Sequence, residues 1–412
     1  MAQRVIIIGG GVLGCSAAYA LSQHPHLDVT LLEANTLASA TTSYAAALLT
    51  RARQQPVLAD LVRETFNTIQ ALGEKLGQPL PYRQVGSLHI GSDAASLAQL
   101  EQTAATAKQQ KLKTEWLSVF DAQQKAPWLA LPTDAKALYL PEDGFIDPYQ
   151  LATAYGQVAR LQGCRIRQNQ RVKQLLQQGD RVTGVELVSG ERLYADYVVD
   201  AAGPWATALA KQVGVNLAMA SVRSHYWITD QRQTVPMGSP MVILPQAKAY
   251  ARPEVGGLLF GLRDETPVYC SPNQLPNQLD GFSFGQDEQG WQALEAGYES
   301  LLPFFPELND AKIEHYISGI SSYTPDGLPL LGYFQADSGT PLIKGFLVMT
   351  GCSGAGIGLS GGLGRLIAEL IQGKQTFTDL SALQPHRFGQ IDPYDDQFQR
   401  RCALARCQKR SG

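Results

Sequence analysis

The run Val5-Ile6-Ile7-Ile8-Gly9-Gly10-Gly11-Val12-Leu13-Gly14, followed downstream by Leu31-Leu32-Glu33, constrains this chain more than any other feature. It reads as a buried strand, a glycine turn, a helix start and a second strand ending in an acid. A dinucleotide pyrophosphate needs that order. Gly9 permits the tight turn, Gly11 lets the backbone approach the phosphates, and Gly14 lets the helix pack on the strand. The Ala-rich helix from Cys15 to Leu21 aims its first N–H groups at the pyrophosphate. Glu33, with Ala34 after it, stands about 20 residues on, where a carboxylate meets a ribose hydroxyl. A glycine turn can also be a plain connection. Here the strand, helix, second strand and acid all agree on a nucleotide site, though they do not separate FAD from NAD.

A chain of 412 residues predicts two or three domains. Its net charge of −3 argues against a nucleic-acid partner. Basic residues crowd only the C-terminus, at Arg400, Arg401, Arg406, Lys409 and Arg410, and the expectation there is a solvated, frayed end. The cysteines at 15, 164, 270, 352, 402 and 407 show no paired metal spacing, so no metal is expected. The chain starts directly on a strand, so no leader is expected. No apolar run is long enough for a transmembrane segment. A cytoplasmic location is the resulting expectation.

Strand and helix patterns alternate to about residue 80, as a parallel sheet requires. Residues 52–78 predict a helix, Val85 to Ile90 a strand, and 95–125 a Gln- and Ala-rich helix. His89 alternates with apolar neighbours and reads as a face-setting residue. Asp147-Pro148 predicts a helix entry. Short strands return from Arg165, with Gly179-Asp180 as one turn and Gly256-Gly257 as another. A last unit joins the strand from Gly345 to Met349 to a glycine turn and a long helix. Nucleotide-binding character thus recurs at the beginning, middle and end. The predicted fold is α/β, with α+β character in a second domain. A Rossmann-like domain of residues 1–79, 146–214 and 320–385 carries a substrate domain of 80–145 and 215–319 with a mixed or antiparallel sheet, and 386–412 form a tail.

Two further stretches narrow the cofactor. Tyr197 to Trp205 runs from a buried strand into Ala201-Ala202-Gly203, small residues that let a backbone lie close to a bound ring. Gly351 to Gly358 places glycines at a helix N-terminus, where N–H donors and a partial positive charge can face a reduced flavin or, alternatively, another anion. Taken with Thr42-Ser43, Ala45-Ala46-Ala47, Asp143-Gly144, Tyr250-Ala251-Arg252-Pro253, and Gly319 before Thr324-Pro325-Asp326-Gly327, the chain resembles the D-amino-acid oxidase-like flavoproteins. Glycine oxidase, sarcosine oxidases and dimethylglycine dehydrogenases are of that type. The resemblance implies FAD, oxidation of a C–N bond in a small amine or amino acid by hydride transfer to flavin N5, hydrolysis of the imine, and oxygen or another electron acceptor. It adds Thr42, Ser43, Val172, Ala202, Gly203, Trp205, Gly319, Ser321, Gly354, Ala355, Gly356 and Ile357 to the cofactor-binding candidates Gly9, Gly11, Val12, Leu13, Gly14, Glu33 and Ala34.

The chain departs from that pattern at the polar anchors. No histidine occurs between Ser39 and Ala47, and Gly319 stands in the position of the flavin-linking cysteine, so FAD is expected to be non-covalent. Ser321 stands where glycine-oxidase-like sequences place a carboxylate-binding arginine. Leu259 stands where sarcosine-oxidase-like sequences place an oxygen-activating lysine. The remaining substrate-binding candidates are Arg51, Tyr250 and Arg252, two guanidiniums able to grip a carboxylate and a phenol able to add a directed hydrogen bond. Trp227 reads as a core aromatic, with a capping role as the alternative. The missing anchors also leave open a non-catalytic or assembly-factor flavoprotein.

Overall fold

The computed structural model describes residues 2–279, 282–284, 287, 290–335 and 342–408. Lys409 and Arg410 lie outside them. The strand Gln3–Ile8 is apolar on both faces and sits centrally, parallel to Leu27–Leu32 on one side and Tyr197–Asp200 on the other. Phe346–Thr350 and Arg165–Arg167 extend this sheet in parallel, and Leu330–Gly332 closes one edge in the antiparallel sense. Burial on both faces explains the near-continuous apolar runs. Val5, Ile7, Val29, Leu31 and Met349 pack against the helices Val12–Ser22, Pro56–Leu76, Pro148–Leu161 and Gly356–Ile371. Ile6, Ile8, Val198 and Val348 pack against a three-stranded sheet spanning Val172–Tyr194 and a short helix, Ala206–Lys211.

A nine-stranded sheet forms the second layer system. It draws on Ser87–Gly91, Glu115–Leu117 and Lys136–Leu140 early in the chain, then on Ala220–Thr229, Met241–Leu244, Ala249–Glu254, Gly257–Leu262, Tyr269–Cys270 and Ile313–Tyr323. Met241–Leu244 pairs in parallel with Ser87–Gly91 and the other pairs are antiparallel, so the sheet is mixed. Its apolar face buries Trp227 stacked on Phe260, with Trp128, Phe304 and Phe305 around them. Trp227 is therefore core and does not cap a site. His89 is buried on a strand, with Nε2 3.1 Å from the Ser87 hydroxyl.

Three expectations need correction. The helix expected over 95–125 ends at Gln109, because Lys111 turns left-handed (φ 58°) and the Leu112 N–H returns to the Ala107 carbonyl. A short strand follows, then a second helix, Val119–Lys125, capped by Ser118. The hairpin turn is Val255-Gly256, one residue earlier than expected, and both residues take positive φ. The C-terminus is not frayed. Asp396–Gln408 is a helix whose Phe398, Cys402 and Ala403 pack on Ala220, Val222 and Tyr323. Arg400 and Arg401 face solvent while Arg406 turns inward.

Candidate functional site

The parallel strands end at one cavity. Gly9 after the first strand, Glu33 after the second, Ala201 after Tyr197–Asp200 and Gly351 after Phe346–Thr350 all line a space of about 550 Å³. This is the carboxyl-end crevice where open α/β sheets bind ligands. Its far wall comes from the nine-stranded sheet, through Ser224, His225, Tyr226, Tyr250 and Ser321, and from Arg263 just after the strand Gly257–Leu262.

Local geometry explains the glycines. A Cβ on Gly14 would stand 1.8 Å from the Gly9 carbonyl oxygen, and one on Gly9 (φ 103°) would stand 2.6 Å from the Ala201 carbonyl oxygen. Gly14 therefore sets the distance between helix and turn and does not itself line the cavity. Glu33 accepts hydrogen bonds from the N–H groups of Gly10 (2.6 Å) and Asn35 (2.7 Å), which fixes its carboxylate at the rim. Thr42 Oγ1 accepts from the Val12 N–H at 3.0 Å. Val12, Leu13, Ala34, Thr42, Val172, Ala202, Gly203, Trp205, Gly319, Ser321, Gly354, Ala355, Gly356 and Ile357 all line the cavity. Ser43 does not, since its hydroxyl donates to the Ala38 carbonyl. The helix Gly356–Ile371 begins at the cavity with no side-chain cap, leaving its first turn oriented toward whatever is bound.

The substrate candidates separate. Tyr250 lines the cavity, and its ring lies over Gly261, where a Cβ would come within 2.3 Å of it. Burial raises its phenol pKa. Arg252 does not line it. Its Nε donates to the Ala46 carbonyl at 2.9 Å, its guanidinium pairs with Glu254 and lies over the Phe145 ring, and it thereby braces the small-residue loop. Arg51 also lies away from the cavity, stacked 3.5 Å above the Phe66 ring centroid with Nε donating to the Glu142 carbonyl. Strand alternation places Tyr250 and Arg252 on one face, but a long side chain ends where its partners are, and both arginines find theirs before the cavity.

Five cations line it: Arg53, Arg171, Lys173, Arg263 and Arg406. Arg263 and Arg406 are both buried, and burial together with the neighbouring Arg406 charge lowers the Arg263 guanidinium to about 10. His225 shares a 3.0 Å hydrogen bond with the Tyr316 hydroxyl, and burial pushes its pKa down to about 3 against the pull of Asp264. The Asp264 carboxylate is engaged by Arg223 in a buried pair. Glu33, at the nucleotide end, is the only acid among the described residues lining the cavity. No metal-binding cluster occurs among the described residues.

Residues 4–370 match the DAO family, FAD dependent oxidoreductase. The chain belongs to this FAD-dependent oxidoreductase family. It is 30% identical over 388 residues to 4-methylaminobutanoate oxidase (formaldehyde-forming) of Paenarthrobacter nicotinovorans, covering 93% of this chain and 45% of that protein. It is 26% identical over 393 residues to the mitochondrial pyruvate dehydrogenase phosphatase regulatory subunit of Mus musculus, covering 94% and 43%. The chain thus spans less than half the length of these curated relatives. The L-proline dehydrogenase of P. horikoshii shares the fold, with a TM-score of 0.79 at 20% identity over 94% of this chain and 98% of that one. The family's cofactor fits the residues present. Gly9 and Gly11 line the turn at one end of the cavity with no side chain in the way, Glu33 holds a carboxylate at its rim, and the uncapped start of Gly356–Ile371 lines it too. No described helix is long and apolar enough to cross a membrane.

Proposed function

We propose that this chain oxidises the C–N bond of a small amine or amino acid, with FAD held non-covalently. The observation that carries this reading is one continuous cavity with a dinucleotide cradle at one end and, at the other, a wall of Tyr250 with the buried Tyr226, His225 and Arg263. FAD, when bound, supplies the hydride acceptor; the protein supplies orientation and electrostatics. The wall keeps water from the reacting carbon, and Tyr250 offers a hydroxyl for orienting the substrate. With arginines and no described acid at this end, an incoming amine is held in its neutral form, because a nearby positive charge disfavours the ammonium. The neutral amine needs no strong base to give up hydride, and the imine then hydrolyses to a carbonyl. Oxygen or another molecule takes the electrons, and Leu259, buried within its strand, supports the slower oxygen reaction.

An anaerobic titration of the yellow holoprotein with a panel of amines and amino acids tests this. Bleaching of the flavin band by one chemical class is the expected result. No bleaching across the panel refutes it, and favours instead the non-catalytic flavoprotein that similarity to a regulatory subunit suggests.

A further inference from the structure

Arg406 is the residue that neither the family pattern nor the sequence reading accounts for. It lies beyond residue 370, where the family match stops, on the helix Asp396–Gln408. Phe398, Cys402 and Arg406 follow at four-residue spacing on the buried side of that helix. The first two seal it to the sheet through Ala220, Val222 and Tyr323. The third extends past this contact and lines the cavity beside Arg263 and Tyr250. Only 6% of Arg406 is exposed, and its Nε has no hydrogen-bond partner. A cation at a helix C-terminus usually complements the helix dipole from the surface. Arg406 instead is buried beside a second buried guanidinium; burial opposes its charge, but Tyr323, Asp264 and Tyr250 together raise its pKa, and it is Arg263 whose pKa burial and the Arg406 charge lower. Asp264, the acid that acts on it through space, is already paired with Arg223. An unfilled donor, two adjacent cations and an open cavity together describe a seat for an anion.

We propose that Arg406, carried into the cavity by the C-terminal helix and seconded by Arg263, grips the carboxylate of the substrate, which makes the substrate an amino acid rather than a simple amine. This rests on the oxidation reading and deepens it. Ser321 lies in the cavity wall two residues before Tyr323. Arg406 interacts with Tyr323, so the guanidinium reaches the same wall from a different element. The planar fork of a guanidinium suits bidentate contact with a carboxylate.

The test uses oxidised holoprotein and two carboxylates that cannot be oxidised as amines, acetate and malonate, read by perturbation of the flavin absorption band. Wild type is expected to bind at least one of them, Arg406→Gln to bind it about 10- to 100-fold more weakly, and Arg406→Lys to recover part of the loss. The exposed Arg401→Gln serves as the surface control and should bind as wild type does. Unchanged affinity in Arg406→Gln, with its flavin spectrum and melting temperature intact, overturns the proposal. So does an equal loss in Arg401→Gln. If Arg406→Gln does not fold, Arg406→Lys carries the test, since a bidentate fork replaced by a point charge must still weaken binding several-fold. The two readings fail separately. Carboxylate binding that depends on Arg406, with no amine oxidised, retains the anion seat and removes the oxidation. Oxidation of amines with KM unaffected by Arg406→Gln does the reverse.

Discussion

At the scale of single residues, the nucleotide end of the site depends on atoms that are missing. Gly14→Ala would drive a methyl group into the Gly9 carbonyl, where backbone must move, so the expected product is a protein that purifies without yellow colour and melts lower. A different vulnerability sits beneath the Ala201–Gly203 turn. Asp200 is wholly buried, one carboxylate oxygen accepts from the Ala202 N–H at 3.1 Å, and the other has no partner. Burial raises its pKa to about 7, above the ordinary value of 3.8. A raised carboxyl pKa means the folded state prefers the neutral acid, so stability is fully present below about pH 4 and declines as pH rises through about 7. Asp200→Asn removes that ionisation and keeps an acceptor for Ala202. It should raise the melting temperature at pH 8 and do so less at pH 5, and thermal melts at the two values check the difference. None of this was legible in the sequence, where Asp200 looks like an ordinary strand end. Its environment is made by residues far along the chain.

At the scale of elements, what could be read locally was read correctly, and what depends on packing was not. The strand-turn-helix at the N-terminus and the helix Pro56–Leu76 carry their own signals in apolar spacing and glycine position. The glycines of the long helix carry two meanings that sequence alone merges. Gly354 and Gly356 belong to the cavity, whereas Gly361, Gly362 and Gly364 are contact points. A Cβ at Gly362 would lie 2.5 Å from the Leu61 Cα, and one at Gly364 would lie 2.2 Å from the Ser16 hydroxyl. Two neighbouring helices therefore press backbone-close on this one. Gly362→Ala should destabilise the fold by about 1–3 kcal/mol despite alanine's better helix propensity, measurable by urea unfolding. The hairpin turn gives the opposite case. Val255 is exposed yet held at φ 47°, a conformation a β-branched residue resists. Val255→Gly should stabilise by about 1 kcal/mol in the same assay.

At the scale of the whole molecule, the site divides into a half written locally and a half assembled by topology. Gly9 to Gly14 and Glu33 lie within one βαβ unit, so the cofactor class was readable. The opposite wall is built from His225, Tyr250, Arg263, Ser321 and Arg406, which share no spacing and meet only because the nine-stranded sheet and the C-terminal helix bring them together. Arg51 and Arg252 were plausible by type and strand phase, but partners absent from their own segments hold them elsewhere. Because the cavity walls come from so many distant segments, bound FAD should act as an internal clamp. Removing it should lower stability by about 4 kcal/mol where free FAD is 1,000-fold above its dissociation constant. Acid precipitation should leave the yellow colour in the supernatant, since no covalent link is expected.

The parallel pairing in the first sheet also sets an order of events. Gln3–Ile8 lies between Leu27–Leu32 and Tyr197–Asp200, and the latter pairs in turn with Phe346–Thr350. Joining these strands means closing long loops before any pairing stabilises them, and such loop closure is slow. The Gly9 turn, spelled out within the first few residues of the chain, closes against the Ala201 carbonyl far downstream. The cofactor cradle therefore acquires its shape only after strands far apart in the chain have paired.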